Sequence, residues 1–340
     1  MIKGHGDDAY QYPLIKTDFS SNICRRTDNQ QALKAHLASH LDLIDHYPEP
    51  EAWSLERLIA IHHGIDPECV IATNGATDAI YLVAQAFASM PCRHYPPTFS
   101  EYADASRLYG MPDASRLCGM PEGDVLHWLC TPNNPTGLVV TIDEIMEKWR
   151  QGGLLVLDQS YEDYTDLPML SPKEAIRMGR IIQLHSMTKT YGVPGLRIGY
   201  ITTERSLADR LRSVLRPWSM NVLAIEAGCF LIEHEISAMP DNPPRSLRAM
   251  PDLQEARLLR QRLLAIEGLI VAPTDTNFML CELRQGTAAQ LKDALARRHG
   301  ILIRDASNFP GLSPRHFRIA SQSPQENARL VTLLSSWLAP

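Results

Sequence analysis

Short apolar runs alternate with longer amphipathic segments through the middle of the chain. The apolar runs are too short for helices, and polar turns follow them, as in CVIATNG, DVLHWLC, LLVLD and IIQLHS. Other segments space their apolar residues as amphipathic helices do, as in TDAIYLVAQAFAS and SLADRLRSVL. Strands of this kind, separated by helices, are typical of a mainly parallel sheet that is covered on both faces. The pattern therefore predicts a doubly wound α/β domain.

The pattern differs at the two ends of the chain. An irregular stretch reaches about Asn29, a predicted helix QALKAHLASHL follows, and the prolines of HYPEP end it. Beyond Glu233, the proline-rich AMPDNPPRS precedes helices that alternate with the strand-like NFMLCEL, ILIRDA and HFRIAS. We therefore expect an N-terminal segment (1–40) that packs with the small domain, a large domain (41–240) and a small α+β domain (241–340).

Composition limits the class of protein. The chain has 340 residues, of which 44% are hydrophobic, enough to fill a core. Its net charge of −6 and pI near 6.1 lack the basic excess that neutralises phosphate backbones. The N-terminus has no apolar signal-peptide core, and no apolar run approaches the roughly 20 residues of a membrane span. We therefore expect a soluble cytoplasmic protein that binds neither nucleic acid nor membrane.

Cysteine and histidine spacing gives no sign of a disulfide framework or a metal site. The seven cysteines are scattered and form no C-x-x-C pair, so we expect reduced thiols. The 12 histidines show no H-E-x-x-H spacing, and the pair His62-His63 is typical of a surface or packing feature. We therefore expect no bound metal.

The segment SMTKTYGVPGLRIGY places a lysine among hydroxyls and an arginine eight residues later. The run IIQLHS ends a strand and delivers Ser186, Thr188 and Lys189 to its carboxyl end, where ligands of open α/β sheets bind. The two hydroxyls and Arg197 beside a lysine form a compact anion site, for which phosphate is the natural ligand. A surface lysine in a loop is the alternative, but the joint spacing favours a ligand site.

Lys189 also has the surroundings of a nucleophilic amine. Attack on a carbonyl requires the neutral amine, and burial together with a neighbouring cation lowers a lysine pKa toward that form. Gly192 and Gly195 allow backbone and ligand to approach closely. The segment therefore predicts an amine that reacts with a phosphorylated carbonyl compound.

The spacing S-x-T-K-x-x-G-V-P-G-L-R-x-G resembles the cofactor-lysine motif of the class I/II aminotransferases, the fold-type I group of pyridoxal-phosphate (PLP) enzymes. The resemblance implies PLP as cofactor and a large domain, with a mainly parallel doubly wound sheet, beside a smaller α+β domain. It assigns Lys189 as the catalytic residue that bonds the cofactor. It assigns Ser186, Thr188 and Arg197 to the cofactor phosphate.

A glycine turn and the end of an apolar strand match two further parts of that family. In ATNGATDAI a strand ends and a helix opens, so the N–H groups of Ala76 and Thr77 suit a phosphate. In LLVLDQSYEDY, Asp158 ends an apolar strand, where an unpaired carboxylate is costly. The resemblance pairs Asp158 with the protonated pyridine nitrogen, whose proton makes the ring an electron sink.

Four other residues take roles from the same resemblance. Asn134, in TPNNPTG, and Tyr161 contact the 3-oxygen of the cofactor, although an Asn after a strand is by itself typical of a turn. Tyr102, in PPTFSEY, aligns with the ring-stacking aromatic, and a core tyrosine is the alternative. Tyr47, in HYPEP, reaches the cofactor phosphate of a second subunit. The resemblance therefore implies a homodimer with shared active sites.

Two subgroups of the family come closest, histidinol-phosphate aminotransferase and threonine-phosphate decarboxylase. The segments KGHGDDAY and DFSSNI resemble the decarboxylases, with His5 and Asn22 as helpers in substrate binding. Asp7 and Asp8 depart from that pattern and would repel a substrate phosphate if they pointed inward. We therefore favour decarboxylation of L-threonine O-3-phosphate, and transamination of histidinol phosphate with 2-oxoglutarate stays open.

Two arginines at strand positions of the small domain complete the predicted site. Arginine captures carboxylate or phosphate with two parallel hydrogen bonds. By resemblance, Arg318 holds the substrate carboxylate and Arg304 a second anionic group, with surface ion pairs as the alternative. A remote third reading is a regulatory PLP-binding module, but the chain shows no helix-turn-helix extension or basic segment.

Overall fold

The computed structural model describes residues 8–23, 27–116, 125–150, 152–237 and 251–339. In chain order the strands are β1 (Thr17–Asp18), β2 (Val70–Thr73), β3 (Cys92–Arg93), β4 (Leu126–Cys130), β5 (Leu154–Asp158), β6 (Ile181–His185), β7 (Gly199–Thr203), β8 (Leu269–Val271), β9 (Phe278–Leu283), β10 (Ile301–Leu302), β11 (Arg304–Asp305) and β12 (His316–Ala320). The helices are α1 (Thr27–Ala38), α2 (Trp53–His63), α3 (Ala76–Ala86), α4 (Glu101–Leu108), α5 (Ile142–Arg150), α6 (Pro172–Met178), α7 (Met187–Thr190), α8 (Arg205–Arg212), α9 (Val222–Ser237), α10 (Leu253–Leu264), α11 (Ala288–His299) and α12 (Pro324–Leu338). None of the described helices is both long and apolar enough to cross a bilayer.

The large unit is built on a six-stranded sheet with the spatial order β2-β7-β6-β5-β4-β3. Strands β3 to β6 are parallel to one another, and β7 runs antiparallel to both of its neighbours, β6 and β2. The carboxyl ends of β2, β4, β5 and β6 therefore meet the start of β7 at one edge of the sheet. The predicted doubly wound α/β architecture is confirmed, with one antiparallel strand inside the sheet.

Strand β5 shows why its run is apolar at every position. Leu154 and Val156 pack into the core that also contains residues of α3 and α4. Leu155 and Leu157 point to the opposite face, into a core formed with residues of α5 and α6. Because successive strand side chains alternate between faces, a sheet covered on both sides requires apolar residues at even and odd positions alike.

The C-terminal unit contains an antiparallel sheet with the order β11-β12-β9-β8, and a separate parallel pair of β1 with β10. The run ILIRDA, predicted as one strand, divides at Ile303. Its first part pairs with β1 and its second part with β12. The N-terminal segment also divides, since β1 joins this unit while α1 packs on α9 of the large unit, with Leu33 in their shared core.

The two units are joined near the loop that follows β4. The N–H of Asp275 donates to the carbonyl oxygen of Gly137 at 2.9 Å, and the N–H of Val139 donates to Asp275 Oδ2 at 2.9 Å. Gly137 has a φ of +74°, and a Cβ at this position would lie 2.1 Å from Thr274 Oγ1. The contact therefore requires glycine at position 137.

Candidate active site

A cavity of about 250 Å³ opens at the edge where the strands of the large sheet end. The predicted site residues that line it are Asn22, Ala76, Thr77, Tyr102, Asn134, Asp158, Tyr161, Ser186, Thr188, Lys189, Arg197 and Arg318. Residues at or just after the ends of β2, β4, β5 and β6, together with Arg318 of β12, thus converge on one space, although they are far apart in sequence. This convergence follows from the shared edge of the parallel strands.

One end of the cavity is rich in hydrogen-bond donors. Helix α3 begins at Ala76 after Gly75, which has a φ of +84° and provides no side-chain cap. An added Cβ on Gly75 would lie 2.7 Å from Arg197 Nη2, so the guanidinium lies close against this turn. Thr188 Oγ1 is buried there without a hydrogen-bond partner among the described residues. A helix N-terminus, a guanidinium and a hydroxyl form a cradle suited to phosphate.

The backbone of β7 is pressed against the same turn. An added Cβ on Gly199 would lie 2.6 Å from the nitrogen of Ala76 and 2.9 Å from the carbonyl oxygen of His185. Gly195, by contrast, has nothing within 4 Å of an added Cβ. The close approach expected at Gly195 is therefore found at Gly75 and Gly199 instead, because these are the residues at which β2, α3 and β7 meet.

Lys189 is half-buried on α7, the short helix that follows β6. Its Nζ lies 5.6 Å from the centroid of the Tyr161 ring. Its carbonyl oxygen accepts a hydrogen bond from the hydroxyl of Tyr164 at 3.1 Å. The lysine therefore lines the cavity close to the ring of Tyr161.

Asp158 is a buried carboxylate at the end of β5. Its Oδ1 accepts a hydrogen bond from the N–H of Ser160 at 2.9 Å, and its Oδ2 accepts one from the hydroxyl of Tyr102 at 2.6 Å. Burial, reinforced by the Asp158 charge, raises the Tyr102 pKa well above its usual value. Tyr102 therefore remains a donor that holds the carboxylate in place.

The sequence left two roles open for Tyr102, a cofactor-stacking ring or a core tyrosine. The ring lines the cavity, but it is only 1% exposed and stacks on Trp128 with centroids 5.3 Å apart. Phe99 also lines the cavity and meets Tyr102 edge-on at 5.8 Å. Tyr102 is thus packed as a core residue while one side of it faces the site.

Arg318 lies across the cavity in β12 and is buried. Its Nη1 donates to Asn134 Oδ1, its Nη2 donates to the carbonyl oxygen of Ser20 at 2.5 Å, and its Nε has no partner among the described residues. Burial lowers the Arg318 pKa to about 10. Because an amide and a carbonyl carry no compensating negative charge, this cation is suited to bind an anion.

Tyr161 and Asn22 lie beside this arginine. Burial raises the Tyr161 pKa to about 12, and Arg318 acts in the opposite direction. The amide of Asn22 lies close enough to the Tyr161 hydroxyl to lower that pKa as well. Neither Asn22 Oδ1 nor Nδ2, however, has a partner with full hydrogen-bonding geometry among the described residues. Both side chains thus present polar atoms to the cavity.

Arg304 lies opposite Arg318 in the antiparallel register of β11 and β12 and is also buried. It does not line the cavity. It donates to Asn308 Oδ1 at 2.9 Å, and burial lowers its pKa while Asp8 and Asp305 act in the opposite direction. Arg304 therefore lies beside Arg318 but outside the cavity wall, where its charge contributes to the lowered pKa of Arg318.

The remaining predicted residues lie away from the cavity or outside the described residues. Tyr47 is 88% exposed and its ring lies 5.9 Å from that of Trp218. Asp8 forms an ion pair with Lys292, so its charge is matched within the chain instead of facing a ligand alone. His5 and Asp7 lie outside the described residues.

Several cavity residues were not predicted from the sequence. Ser20 contributes the carbonyl that holds Arg318, and Cys130 lines the cavity with a buried thiol whose pKa is raised by burial. Cys130 ends β4 at the functional edge, so its position was a usable signal. Ser20 acts through its backbone, which leaves no signature in the identity of the side chain.

The polar groups of the cavity fit PLP. The N–H groups at the start of α3, with Thr188 and Arg197, would suit a phosphate, and the buried Asp158 carboxylate would suit a protonated ring nitrogen. Lys189 lines the same cavity. Polar atoms of Thr188 and Asn22 have no partner in the part of the chain that the structure describes, and a bound ligand would satisfy them, since buried polar atoms are rarely left unpaired.

Comparison with known proteins gives the same assignment. A family model described as aminotransferase class I and II matches residues 15–334. The chain is 30% identical to the threonine-phosphate decarboxylase of Salmonella typhimurium, over 94% of this chain and 91% of that protein. It superposes on the crystal structure of L-threonine-O-3-phosphate decarboxylase from Porphyromonas gingivalis with a TM-score of 0.87 and 32% identity, covering 95% of this chain and 100% of that one.

A histidinol-phosphate aminotransferase from Sinorhizobium meliloti, solved in complex with pyridoxal-5'-phosphate, has the same fold. Its TM-score is 0.77 at 19% identity, covering 95% of this chain and 91% of that one. The family match over nearly the whole chain and the donor, lysine and carboxylate arrangement of the cavity lead to one conclusion: the chain belongs to the class I and II aminotransferase family and is a PLP-dependent enzyme of fold type I.

Proposed function

We propose that this enzyme removes the carboxylate group from L-threonine O-3-phosphate. The observation that carries the proposal is the buried guanidinium of Arg318 at one wall of the cavity, with the buried guanidinium of Arg304 opposite it in the register of β11 and β12. A substrate with one carboxylate and one phosphate offers an anion to Arg318 and a second negative charge to the neighbourhood of Arg304. The similarity to threonine-phosphate decarboxylases over most of the chain supports this choice.

We assign each cavity residue a role in binding the cofactor, binding the substrate or transferring a proton. The start of α3, with Thr188 and Arg197, would hold the cofactor phosphate, and Asp158 would keep a proton on the ring nitrogen. Bound in this way, PLP supplies a protonated ring that accepts the electron pair released when a bond to Cα breaks. Arg318 orients the substrate carboxylate, and Lys189 delivers a proton to Cα after the carboxylate has left.

The overall change is balanced without a second substrate. The bond between Cα and the carboxylate carbon breaks, carbon dioxide leaves without the bonding electrons, and a proton takes its place on Cα. The product is the phosphate ester of an amino alcohol. Which bond to Cα breaks depends on how the substrate is oriented at the cofactor, so the position of the carboxylate on Arg318 would decide the outcome.

The alternative function is transamination of histidinol phosphate. Histidinol phosphate has no carboxylate, but its co-substrate 2-oxoglutarate has two, so the same arginines suit either reaction. The two functions differ in their requirement for a keto acid and in the release of carbon dioxide.

Incubation of the purified PLP-loaded protein with L-threonine O-3-phosphate tests the proposal. We expect carbon dioxide release without any keto acid, and no release from a Lys189→Ala variant. A parallel incubation with histidinol phosphate and 2-oxoglutarate should produce no glutamate. Glutamate formation without carbon dioxide release from threonine phosphate would establish the transaminase instead.

We further propose that the chain acts in the cytoplasm as a homodimer in which Tyr47 reaches the cofactor phosphate of the second subunit. Tyr47 is 88% exposed and does not line the cavity of its own chain. Leu41, Ile44 and Trp218 are also large apolar residues that are more than half exposed. Apolar exposure of this extent is typical of a protein interface.

Light scattering should give twice the mass of the chain, and Tyr47→Ala should weaken PLP binding. A monomer with full PLP affinity would contradict the proposal.

A further inference from the structure

A second group of candidate ligand atoms lies away from the active-site cavity. His36 is in the last turn of α1, His40 follows the end of that helix, and Glu226 is on α9. One ligand atom from each of these residues lies within 4.8 Å of the other two. None of the three lines the cavity that contains Lys189.

The separations between these atoms suit a single small ion. His36 Nε2 lies 2.7 Å from Glu226 Oε1, and His40 Nε2 lies 3.9 Å from the same oxygen. Two ligands at about 2.0–2.1 Å from a tetrahedral zinc ion are about 3.3 Å apart. The two distances lie on either side of that value, so small side-chain rotations bring all three atoms to an ion.

Neighbouring contacts orient both imidazole rings. The His36 ring stacks on Phe230, one helical turn beyond Glu226, with centroids 4.3 Å apart. His40 Nδ1 lies 2.8 Å from the carbonyl oxygen of His36, which can only accept a hydrogen bond. Nδ1 therefore carries the proton of the neutral His40 ring, and Nε2, which lies 3.9 Å from Glu226 Oε1, carries the free lone pair. A backbone acceptor on the second ring nitrogen is the usual support of a metal-ligating histidine.

We propose that His36, His40 and Glu226 bind one divalent transition-metal ion, of which Zn²⁺ fits best. Two imidazoles and one carboxylate are ligands that Zn²⁺ accepts, with water in the fourth position, whereas Mg²⁺ and Ca²⁺ require oxygen ligands. The ion would join α1, from the N-terminal part of the chain, to α9 of the large unit. This departs from the absence of metal expected from the sequence, because His36 and Glu226 are 190 positions apart and no local motif connects them.

Calorimetric titration of the PLP-loaded full-length protein with zinc chloride, after treatment with a chelator, tests the proposal. We expect one high-affinity Zn²⁺ per chain, and a dissociation constant at least tenfold higher in His36→Gln and in Glu226→Gln. His46→Gln replaces an exposed histidine outside the cluster and should bind Zn²⁺ as the wild type does. Magnesium chloride should give no binding heat.

Absorption of the Co²⁺-loaded protein supplies a second measurement that does not depend on affinity. The wild type should show the visible bands of four-coordinate Co²⁺, and His40→Gln should lose them while its circular dichroism is unchanged. The cluster would instead be a simple ion pair if the wild type bound no Zn²⁺, if the His36, His40 and Glu226 variants bound it as tightly as the wild type, or if Mg²⁺ bound equally well.

Discussion

Replacing Gly199 with alanine tests whether the turn before α3 is the phosphate cradle. The new Cβ would lie 2.6 Å from the nitrogen of Ala76, 2.7 Å from the carbonyl carbon of Gly75 and 2.9 Å from the carbonyl oxygen of His185. All three are backbone atoms, so no side chain can rotate away to make room. The start of α3 must therefore move from β7, together with the N–H groups proposed to hold the phosphate.

The size of the effect follows from the cost of overpacking. Inserting a methyl group into a tightly packed site typically costs about 1–3 kcal/mol. If the displacement falls on the cradle, the same free energy is lost from PLP binding, which raises the dissociation constant about 5-fold to 150-fold. The global fold should survive, because α3 and the sheet keep their apolar cores.

Titration of the cofactor-free protein with PLP, followed by visible absorption, measures this change. Gly195→Ala is the matched control, since it adds the same methyl group to the same segment in open space and should leave PLP affinity unchanged. Wild-type affinity in a folded Gly199→Ala protein would refute the assignment of this turn to the phosphate. Equal losses in both variants would show that the segment responds to any added methyl group.

Three further outcomes follow from buried charges and a buried phenol. Arg318→Met should lower kcat/KM for the phosphorylated substrate by about 100-fold, because a charged hydrogen bond contributes about 1.5–3 kcal/mol, while PLP absorption is retained. The folded-state pKa of Tyr161, about 12, exceeds the value of 10.0 for a free tyrosine, so the folded chain keeps a proton that the unfolded chain has lost at intermediate pH. The free energy of unfolding should therefore fall as the pH rises from about 10 to 12, by up to about 2.7 kcal/mol, and urea titrations of Tyr161→Phe should show a smaller fall. Arg212→Met should cost about 3–5 kcal/mol of stability in urea unfolding, because it leaves the buried Glu56 without its cation.

The two arginine predictions each have a control in the chain. Arg315→Met removes an exposed arginine from the same strand region and should leave kcat/KM unchanged. Arg205→Met removes an exposed ion pair with Glu68 and should cost less than about 1 kcal/mol. If the free energy of unfolding of Tyr161→Phe fell with rising pH as steeply as that of the wild type, the Tyr161 phenol would not titrate between about pH 10 and 12. Similar losses in Arg212→Met and Arg205→Met would contradict the burial argument.

The parts of the fold that the sequence predicted are those with local signals. Strands β5 and β6 are short, mainly apolar runs that end in a polar residue, so Asp158 and Lys189 could be placed at one edge before any coordinates were known. The division of ILIRDA at Ile303 could not be predicted, because it depends on which strands pair with each half. Apolar pattern specifies a strand without specifying its partner.

The surroundings of individual side chains were less predictable than their presence at the site. Nothing near Asp8 in the sequence indicates that Lys292 neutralises it, since the two are joined only by the fold. The hydroxyl of Tyr102 bonds Asp158, which no motif indicated, because the contact depends on how α4 packs on the sheet. Contacts between side chains of distant segments depend on the tertiary structure, and the periodicity of apolar residues along the chain carries no information about them.

The bonds between Asp275 and the loop after β4 bear on how the enzyme would release its product. That loop carries Asn134 and belongs to the large unit, yet it is fastened to the C-terminal unit through Gly137 and Val139. Any rotation of the C-terminal unit would pull Asn134 along with it, together with the Arg318 side chain that bonds it. Rotation of the C-terminal unit and loss of the contacts of Asn134 would therefore occur together. A change that strengthens the bonds between Asp275 and this loop should slow turnover without altering the rate of bond cleavage at Cα.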